Sequence, residues 1–297
     1  MSRGSRNSRA FAKKGERGFI ASRAAAEALN KALFSAVAAW QCGSDVSVDD
    51  LTRLLLNGTP EEVAAAIMPP DADALLRGEY AEVAAEAIKI AGDGQWADLD
   101  LVGSFSLDNP YSPPWIRSYS STLIQEIGDL SRWAIREEVA RSFERGIPPR
   151  LIANTLGDWA GLRRDQSAAL DAYAQSLREG GVTGDRYEAL IGRRAQSLRN
   201  DRGLLIARTE VINAHGHGTL QSWQTAQGDG LLGDDARKVW IAAVGSERTC
   251  EVCIALDGQS VALDEPFRPM KVSAKRGPVL APTVHPRCRC AIGLELA

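Results

Sequence analysis

Two short cysteine-rich segments in the C-terminal third constrain the fold of this chain most. The first is Cys250-Glu-Val-Cys253, and the second is His285-Pro-Arg-Cys288-Arg-Cys290. They contain four of the five cysteines and one of the three histidines of the chain. Soft thiolates together with one imidazole, in two close groups separated by a loop, suit a tetrahedral zinc ion. The sequence therefore predicts that a metal ion holds the two segments together.

Five side chains are candidate ligands of this metal, one more than the four that a structural zinc ion takes. The first two cysteines have the spacing of a metal-binding knuckle, and His285 and Cys288 repeat that spacing. Cys288 and Cys290 are both close enough to contribute, so the sequence does not choose between them. A catalytic zinc ion keeps an open coordination position, so this surplus of soft ligands predicts a closed, structural site with one zinc ion per chain. The candidates are Cys250, Cys253, His285, Cys288 and Cys290.

Disulfides, buried thiols and a redox pair are the alternatives to a metal site. The N-terminus is basic, but Arg23, Glu27 and Lys31 interrupt the apolar stretch that follows, so it does not have the pattern of a secretory signal. Disulfides are rare in proteins that remain in the cytosol. Four of the five cysteines lie in two short segments, which argues against the alternative that they are ordinary buried thiols placed by chance. Unmetallated thiols and a redox pair stay open at this point.

Residues 1–20 are predicted to form a flexible basic arm. The first seventeen residues contain six basic side chains and one acidic side chain, although the net charge of the whole chain is −3. Such arms contact nucleic acid or an acidic protein surface. The alternative is a solvated tail that has no partner.

Residues 21–200 are predicted to form a mainly α-helical body. Thr59-Pro-Glu-Glu62 has the pattern of a helix start, with Thr59 as the cap and Glu62 reaching back to it. We expect later helices at about 73–90, ended by a turn at Gly92-Asp-Gly94, and from near Pro114 to about Arg145. Shorter helices are expected at 150–156 and 163–178, and another from Asp185 towards Gly216 or Gly218.

Residues 201–297 are predicted to form a small C-terminal α+β module with a thin core that the metal staples. Lys238–Val244 and Gln259–Leu263 have the composition of strands, and many prolines follow them. His215 and His217, separated by one glycine, are predicted to be caps or surface residues, with a catalytic or metal-binding pair as the less favoured alternative.

Several short pieces follow one another in a characteristic order over residues 200–292. They are Arg208-Thr-Glu210, Gly218, Trp240, Arg248-Thr-Cys250-x-x-Cys253, Leu256-Asp-Gly258, Pro266-Phe267 and His285-Pro-x-Cys288-Arg-Cys290. Their order and spacing resemble the C-terminal domain of phage minor head proteins, the relatives of phage Mu protein F. Residues 116–200 are similar in kind to members of this family, including the stretch 157–162.

This resemblance implies a minor capsid protein of a phage, made in the host cytoplasm and located in the virion head. It implies incorporation in few copies near the portal during head morphogenesis, with the portal protein, other head or scaffold proteins and packaged phage DNA as partners. No residue constellation indicates turnover of a substrate, so we expect no enzymatic activity. The alternative function is a zinc-dependent nucleic-acid-binding or nuclease module.

Overall fold

The structure is a computed structural model of the 297-residue chain, and it describes residues 22–243, 250–269 and 278–296. The predicted basic arm, residues 1–20, lies outside the described residues. None of the helices in the described part combines the length and the apolarity that crossing a bilayer requires.

The described chain divides into two compact units. One unit, which we call the helical unit, comprises residues 33–80 and 118–204. The other unit, which we call the sheet unit, contains residues 22–32, 81–117 and the described residues from 205 onwards. Helices α1, α4, α5 and α8, defined below, each contain residues of both units.

The chain is mainly helical as far as residue 228. After a helical stretch at 22–27, the helices are α1 Asn30–Gln41, α2 Val48–Asn57, α3 Pro60–Ile67, α4 Pro70–Asp98, α5 Ser112–Glu144, α6 Pro149–Leu156, α7 Arg164–Glu179 and α8 Gly184–Gly228, with a 3-10 turn at Gly157–Trp159 between α6 and α7. The predicted start of α3 is confirmed. Glu62 N donates to Thr59 Oγ1 over 3.2 Å, and Thr59 N donates to Glu62 Oε2 over 2.7 Å.

Two helices extend beyond the glycines at which the sequence predicted their ends. Helix α4 continues through Gly92, because Phe105 packs directly against the glycine Cα and a side chain there would overlap the ring. Helix α8 continues past Gly216 and Gly218 for the same kind of reason. A Cβ at Gly218 would lie 2.6 Å from Ile88 Cα, and one at Gly216 would lie 2.6 Å from Pro282 O. These glycines permit close packing and do not end the helices.

The sheet unit contains a three-stranded antiparallel sheet of order β2-β1-β3, with β1 Arg237–Ile241 in the centre. Strand β2 is Ser260–Ala262 and strand β3 is Ala291–Glu295. Both predicted strands therefore exist in shorter form, and β3 was not predicted. Between β1 and β2 lies a short helix, α9 Glu251–Leu256.

The core of the sheet unit is larger than the thin core that the sequence predicted. Trp240 on β1 meets Phe267 edge-on, with ring centroids 5.2 Å apart. Trp223 of α8 is fully buried, and its Nε1 donates to Gln95 Oε1 over 3.1 Å. The apolar cluster of this unit also contains Leu220, Leu256, Val261, Leu263, Val284, Ile292, Leu294 and the buried cysteines Cys253, Cys288 and Cys290.

Candidate metal centre

The first knuckle, residues 250–253, is built by the start of helix α9. Cys250 occupies the N-cap position, and its Sγ accepts a hydrogen bond from Cys253 N over 3.4 Å. Cys253 lies in the first turn and is 2% exposed. The Cys-x-x-Cys spacing thus places both sulfurs at one helix end, where backbone N–H groups face them.

The second knuckle, residues 285–290, is a tight turn that leads into strand β3. Cys288 N donates to His285 O over 3.1 Å, which closes the turn. Arg287, between them, has a φ of 62° and so occupies the left-handed region that the turn requires. Cys290 directly precedes β3, and both Cys288 and Cys290 are buried.

The five predicted ligands come together as two overlapping triads. Cys250, Cys253 and His285 form one, and Cys253, Cys288 and Cys290 form the other; within each triad the ligand atoms lie within 4.8 Å of one another. His285 Nε2 is 3.1 Å from Cys250 Sγ and 3.2 Å from Cys253 Sγ. Cys253 Sγ is 3.8 Å from Cys288 Sγ. All five cysteines of the chain are free thiols, so the disulfide alternative is not what the structure shows.

The imidazole of His285 is oriented for binding a metal ion. Its Nδ1 lies 2.8 Å from Pro286 O, a carbonyl that can only accept. This contact places the proton on Nδ1 and leaves the lone pair of Nε2 directed at the sulfurs of the first knuckle. A ring nitrogen fixed in this way by a backbone carbonyl is typical of metal-binding histidines.

The three buried thiols, those of Cys253, Cys288 and Cys290, differ in how readily they lose a proton. Hydrogen bonds from Cys253 and Cys290 to the sulfur of Cys288 lower the pKa of the Cys288 thiol, even though burial opposes the charge. Hydrogen bonds with Cys288 and Cys290, together with burial, raise the pKa of the Cys253 thiol. A metal ion binds thiolates, and it supplies the positive charge that lets neighbouring thiols lose their protons together.

Distances within the two triads can be compared with those around a tetrahedral zinc ion. Zinc–sulfur bonds of about 2.3 Å at tetrahedral angles separate two sulfurs by about 3.8 Å, which is the Cys253–Cys288 separation of 3.8 Å. The same geometry separates a sulfur from an imidazole nitrogen by about 3.6 Å. The two observed sulfur–nitrogen distances, 3.1 and 3.2 Å, are a few tenths of an ångström shorter. The donor types and the distances within each triad suit zinc, and Cys253 is common to both triads, but no four of the described ligand atoms lie within 4.8 Å of one another.

The second knuckle rests on helix α8 and on the first described residues of the chain. Arg287 N donates to Thr209 Oγ1 over 3.4 Å, and Thr283 N donates to Asn213 Oδ1 over 3.4 Å. Arg23 Nη1 donates over 3.0 Å to the carbonyl of Arg289, which stands between two candidate ligands. No local sequence pattern indicates this last contact, because it joins residues that are 266 positions apart.

His215 and His217 are packed inside the sheet unit, so the prediction that they are caps or surface residues is wrong. His215 is fully buried, with its Nε2 2.9 Å from Ser22 Oγ. His217 stacks on Trp115 with ring centroids 4.5 Å apart. Burial lowers the pKa of each imidazole to about 3, so both rings are neutral near pH 7. Neither histidine belongs to the two triads.

Comparison with known proteins gives one match. Residues 134–293, more than half of the chain, match the family model described as phage Mu protein F like protein. The matched segment includes all five candidate ligands, the whole of helix α8, strands β1 and β2, and strand β3 as far as Gly293. Searches of curated proteins and of solved structures found no match.

Proposed function

Because this chain belongs to the family of phage Mu protein F like proteins, we propose that it is a minor head protein, incorporated in few copies near the portal during phage head morphogenesis. Family membership supports a part in head morphogenesis and interaction with other head proteins. The position near the portal, the low copy number and the contact with packaged DNA are further parts of this proposal. The virion head is the proposed location.

The candidate metal centre has a structural part in this proposal. Cys250, Cys253 and His285, with Cys288 or Cys290, would hold one zinc ion and so tie α9 to the turn before β3. A bound zinc ion supplies folding free energy to such a module. The observation that carries the site is the convergence of His285 Nε2 on two sulfurs, with Nδ1 held by a backbone carbonyl.

We also propose that the protein acts as a structural component and not as an enzyme. A zinc ion bound by four of the five candidate ligands would have no coordination position left for a substrate. The other two histidines of the chain are also packed against protein groups: His215 is buried beside Ser22, and His217 is half-buried and stacks on Trp115.

Assembly with the cognate head proteins tests the function. The chain is co-expressed with portal and scaffold proteins, and purified particles are analysed by quantitative mass spectrometry. We expect particles that contain the protein at a few copies each, and a complex of the protein with the portal. Particles that form and package DNA normally without it, together with failure to co-purify with portal, would refute the proposal. Sequence-independent DNA binding or cutting by the isolated protein would then favour the nucleic-acid-binding or nuclease module.

DNA contact is tested separately through residues 1–20. Their six positive charges against one negative charge motivate it. Displacement of counterions gives a slope of log K against log salt of about −0.9 for each duplex phosphate neutralised. Removal of these residues is expected to weaken DNA binding and to flatten this slope. Equal binding and equal slope with and without them would leave the segment without a part in DNA binding.

A further inference from the structure

One side of helix α8 is exposed within the helical unit and carries both leucines and charged residues. Residues three, four or seven positions apart lie on the same side of a helix. Leu204 is 42% exposed on this side, and Leu190 is half-buried. The exposed side around Ser197, which we call the α8 face, carries Leu190, Arg193, Arg194, Asp201 and Leu204.

The three charged residues of the α8 face are not paired within the chain. Among the described residues, Arg193, Arg194 and Asp201 are exposed and form neither an ion pair nor a side-chain hydrogen bond. The other charged residues between 187 and 204 already have partners within the chain; they are Glu188, Arg199 and Arg202. Two cations and one anion of this face are therefore available to a partner molecule.

An open depression of about 410 Å³ lies on the α8 face. Leu190, Arg193, Arg194 and Ser197 line it from α8, and Tyr173 lines it from α7. Four residues at positions i, i+3, i+4 and i+7 of a helix form the hole that receives one side chain of a facing helix. The depression therefore has the form of a site for a second helix with an exposed apolar side chain.

The apolar residues of the α8 face are arranged symmetrically about Ser197. Leu190 precedes Ser197 by seven residues, and Leu204 follows it by seven. In two antiparallel helices related by a two-fold axis through Ser197, residues at equal distances before and after Ser197 lie at the same level. Leu204 of one copy then packs on Leu190 of the other, at one end of the depression, and this contact occurs twice.

The charged residues follow the same symmetry with opposite signs. Arg193 and Arg194 precede Ser197 by four and three residues, and Asp201 follows it by four. The same antiparallel arrangement therefore brings Asp201 of one copy beside Arg193 and Arg194 of the other, again twice. The small side chain of Ser197 at the axis lets the helices approach each other, and helices that cross at about 20° stay in contact over several turns. The α8 face is thus complementary to a second copy of itself.

Duplex DNA fits the α8 face less well than a second copy does. A phosphate backbone would be attracted by the two arginines, but it would meet the carboxylate of Asp201 and gain nothing from Leu204. The face also has a definite extent. Arg186 and Arg208 lie eleven residues before and after Ser197, so in the antiparallel pair their like charges come to the same level. Their repulsion limits the contact to the four turns between Leu190 and Leu204.

We propose that two copies of this chain associate through the α8 face, with their α8 helices antiparallel and Ser197 at the two-fold axis. A contact of four helical turns per copy is small, so we expect weak association with a Kd of about 10–100 µM, as for interfaces below about 1,200 Å². The contact involves this chain alone and does not depend on the proposed function.

Complementary charge variants test the contact by sedimentation velocity over a concentration series of the full chain. Arg193→Asp/Arg194→Asp makes the α8 face negative, and Asp201→Arg makes it positive, so each variant is expected to self-associate at least about tenfold more weakly than the unchanged chain. A mixture of the two variants is expected to form a heterodimer, because each face then meets its opposite. An unchanged chain that stays monomeric into the millimolar range, or a mixture that does not associate, would overturn the proposal.

A control variant separates the α8 face from the charge of the whole chain. Glu79→Arg makes the same charge change as Asp201→Arg at an exposed position of α4. It is expected to associate as the unchanged chain does, and circular dichroism verifies that every variant is folded. Weakening by Glu79→Arg as large as that by Asp201→Arg would refute the assignment to the α8 face.

Cysteine cross-linking tests the position of the axis. In a Cys42→Ser background, Ser197→Cys places two thiols at the axis, close enough for a disulfide between copies when glutathione disulfide is added. Ala189→Cys is the matched control, because residue 189 is exposed on the same helix but lies far from its counterpart in the second copy. We expect cross-linked dimers from Ser197→Cys and not from Ala189→Cys. Equal cross-linking of the two variants would contradict the proposed axis.

The same variants distinguish this contact from the proposed function and from other partners. Self-association of a chain that is absent from heads would support the contact and refute the head-protein function. A chain that stays monomeric, but loses DNA binding or incorporation into heads through Arg193→Asp/Arg194→Asp, would show that the α8 face serves DNA or another head protein, contrary to the proposal.

Discussion

Cys253 occupies a position that no other candidate ligand shares. Its sulfur belongs to both triads, and it lies 3.2 Å from His285 Nε2 and 3.8 Å from Cys288 Sγ. Cys288 and Cys290, by contrast, belong to one triad only. Loss of Cys253 leaves both triads incomplete, whereas loss of Cys288 or Cys290 alone keeps the triad of Cys250, Cys253 and His285 complete and leaves one further cysteine as a fourth ligand.

Metal analysis of cysteine variants tests this difference. We expect about one zinc per chain for the unchanged protein, about one for Cys288→Ser and for Cys290→Ser, and much less than one for Cys253→Ser and for the Cys288→Ser/Cys290→Ser double variant. Cys42→Ser is the control, because Cys42 is exposed and lies in neither triad. A metal-free unchanged protein, measured by elemental analysis after purification without chelator, would rule out the zinc site.

His217 makes the stability of the sheet unit depend on pH. Burial, and to a lesser extent Lys238, lowers the pKa of His217 to about 3, against about 6.5 in an unfolded chain. Below pH 6.5 the unfolded state binds a proton that the folded state does not, so stability is lost as the pH falls from about 6.5 towards 3.

Replacement by phenylalanine isolates this effect, since the ring keeps its stacking on Trp115. Between pH 6 and pH 4, the unchanged protein is expected to lose about 1.4 kcal/mol per pH unit more than His217→Phe. Urea unfolding at each pH measures it. Both proteins contain the same metal ligands, so acid release of metal cancels in the comparison. Parallel pH profiles would show that His217 is not buried in its neutral form.

At the scale of elements, helix α8 depends on a close approach of its backbone to helix α4. Its Gly218 lies against Ile88 of α4, where an added Cβ would be 2.6 Å from both the Cα and the carbonyl oxygen. Gly192 of the same helix has only ordinary contact distance, 3.7 Å, to Asp158 Oδ1. One glycine of α8 therefore permits packing, and another is replaceable.

Alanine substitutions distinguish the two glycines. Gly218→Ala is expected to destabilise the protein by about 1–3 kcal/mol, because backbone atoms cannot move aside easily. Gly192→Ala is expected to be neutral or to stabilise it by up to about 1 kcal/mol through helix propensity. Denaturant unfolding followed by far-UV circular dichroism, which reports the helices of both units, provides the measurement. Equal effects of the two substitutions would contradict the close packing of α4 on α8.

The same elements show what the sequence could and could not predict. Local signals were sufficient for the capping box at Thr59 and for most of α5 to α7, because caps and helical periodicity act within a few residues. They were insufficient at Gly92 and Gly218, whose neighbours Phe105 and Ile88 are distant in the chain. Strand β3 was missed because five residues with a central Gly293 have little strand character until β1 pairs with them.

The candidate ligands were predictable for a related reason. Their residue types and spacing in each knuckle are local, so the five positions could be read from the sequence, and the structure brings all five together. Their surroundings were not predictable. The Arg23–Arg289 contact and the burial of His215 beside Ser22 depend on how the first described residues pack on α8 and the second knuckle.

On the scale of the whole molecule, the two units have separate sources of stability. The helical unit has its own buried contacts, among them Trp40 Nε1 to Asp73 Oδ1 at 2.9 Å and Arg132 Nη1 to Asp73 Oδ2 at 2.9 Å. The sheet unit combines an apolar core with the candidate metal centre, whose buried cysteines are part of that core. Metal removal should therefore act on one unit more than on the other.

Hydrogen exchange with and without a zinc chelator measures how strongly metal removal affects each unit. We expect amides of residues 205–243, 250–269 and 278–296 to lose protection, with strand β3 and helix α9 affected most. Amides of residues 33–80 and 118–204 should keep theirs, and the apolar core around Trp240 should keep the sheet unit from unfolding completely. Cys42→Ser serves as the control for thiol chemistry outside the centre. Equal loss of protection in both units would mean that they unfold as one cooperative unit.

The position of the knuckles relative to the sheet has a consequence for the order of folding. Strand β1 must pair with β3 across an intervening segment that contains α9 and β2, and bringing such distant residues together is slow. Cys253 and Cys288 are 35 positions apart, and closing a loop of that length costs about 3 kcal/mol of entropy. Metal bound by both knuckles would close this loop before any strand pairs. It would thereby bring Ala291, the residue after Cys290, close to its pairing partner Ile241. The bound ion would then speed the pairing of the strands. The refolding rate of the sheet would rise with the concentration of free zinc, whereas the rate of helix formation would not depend on it.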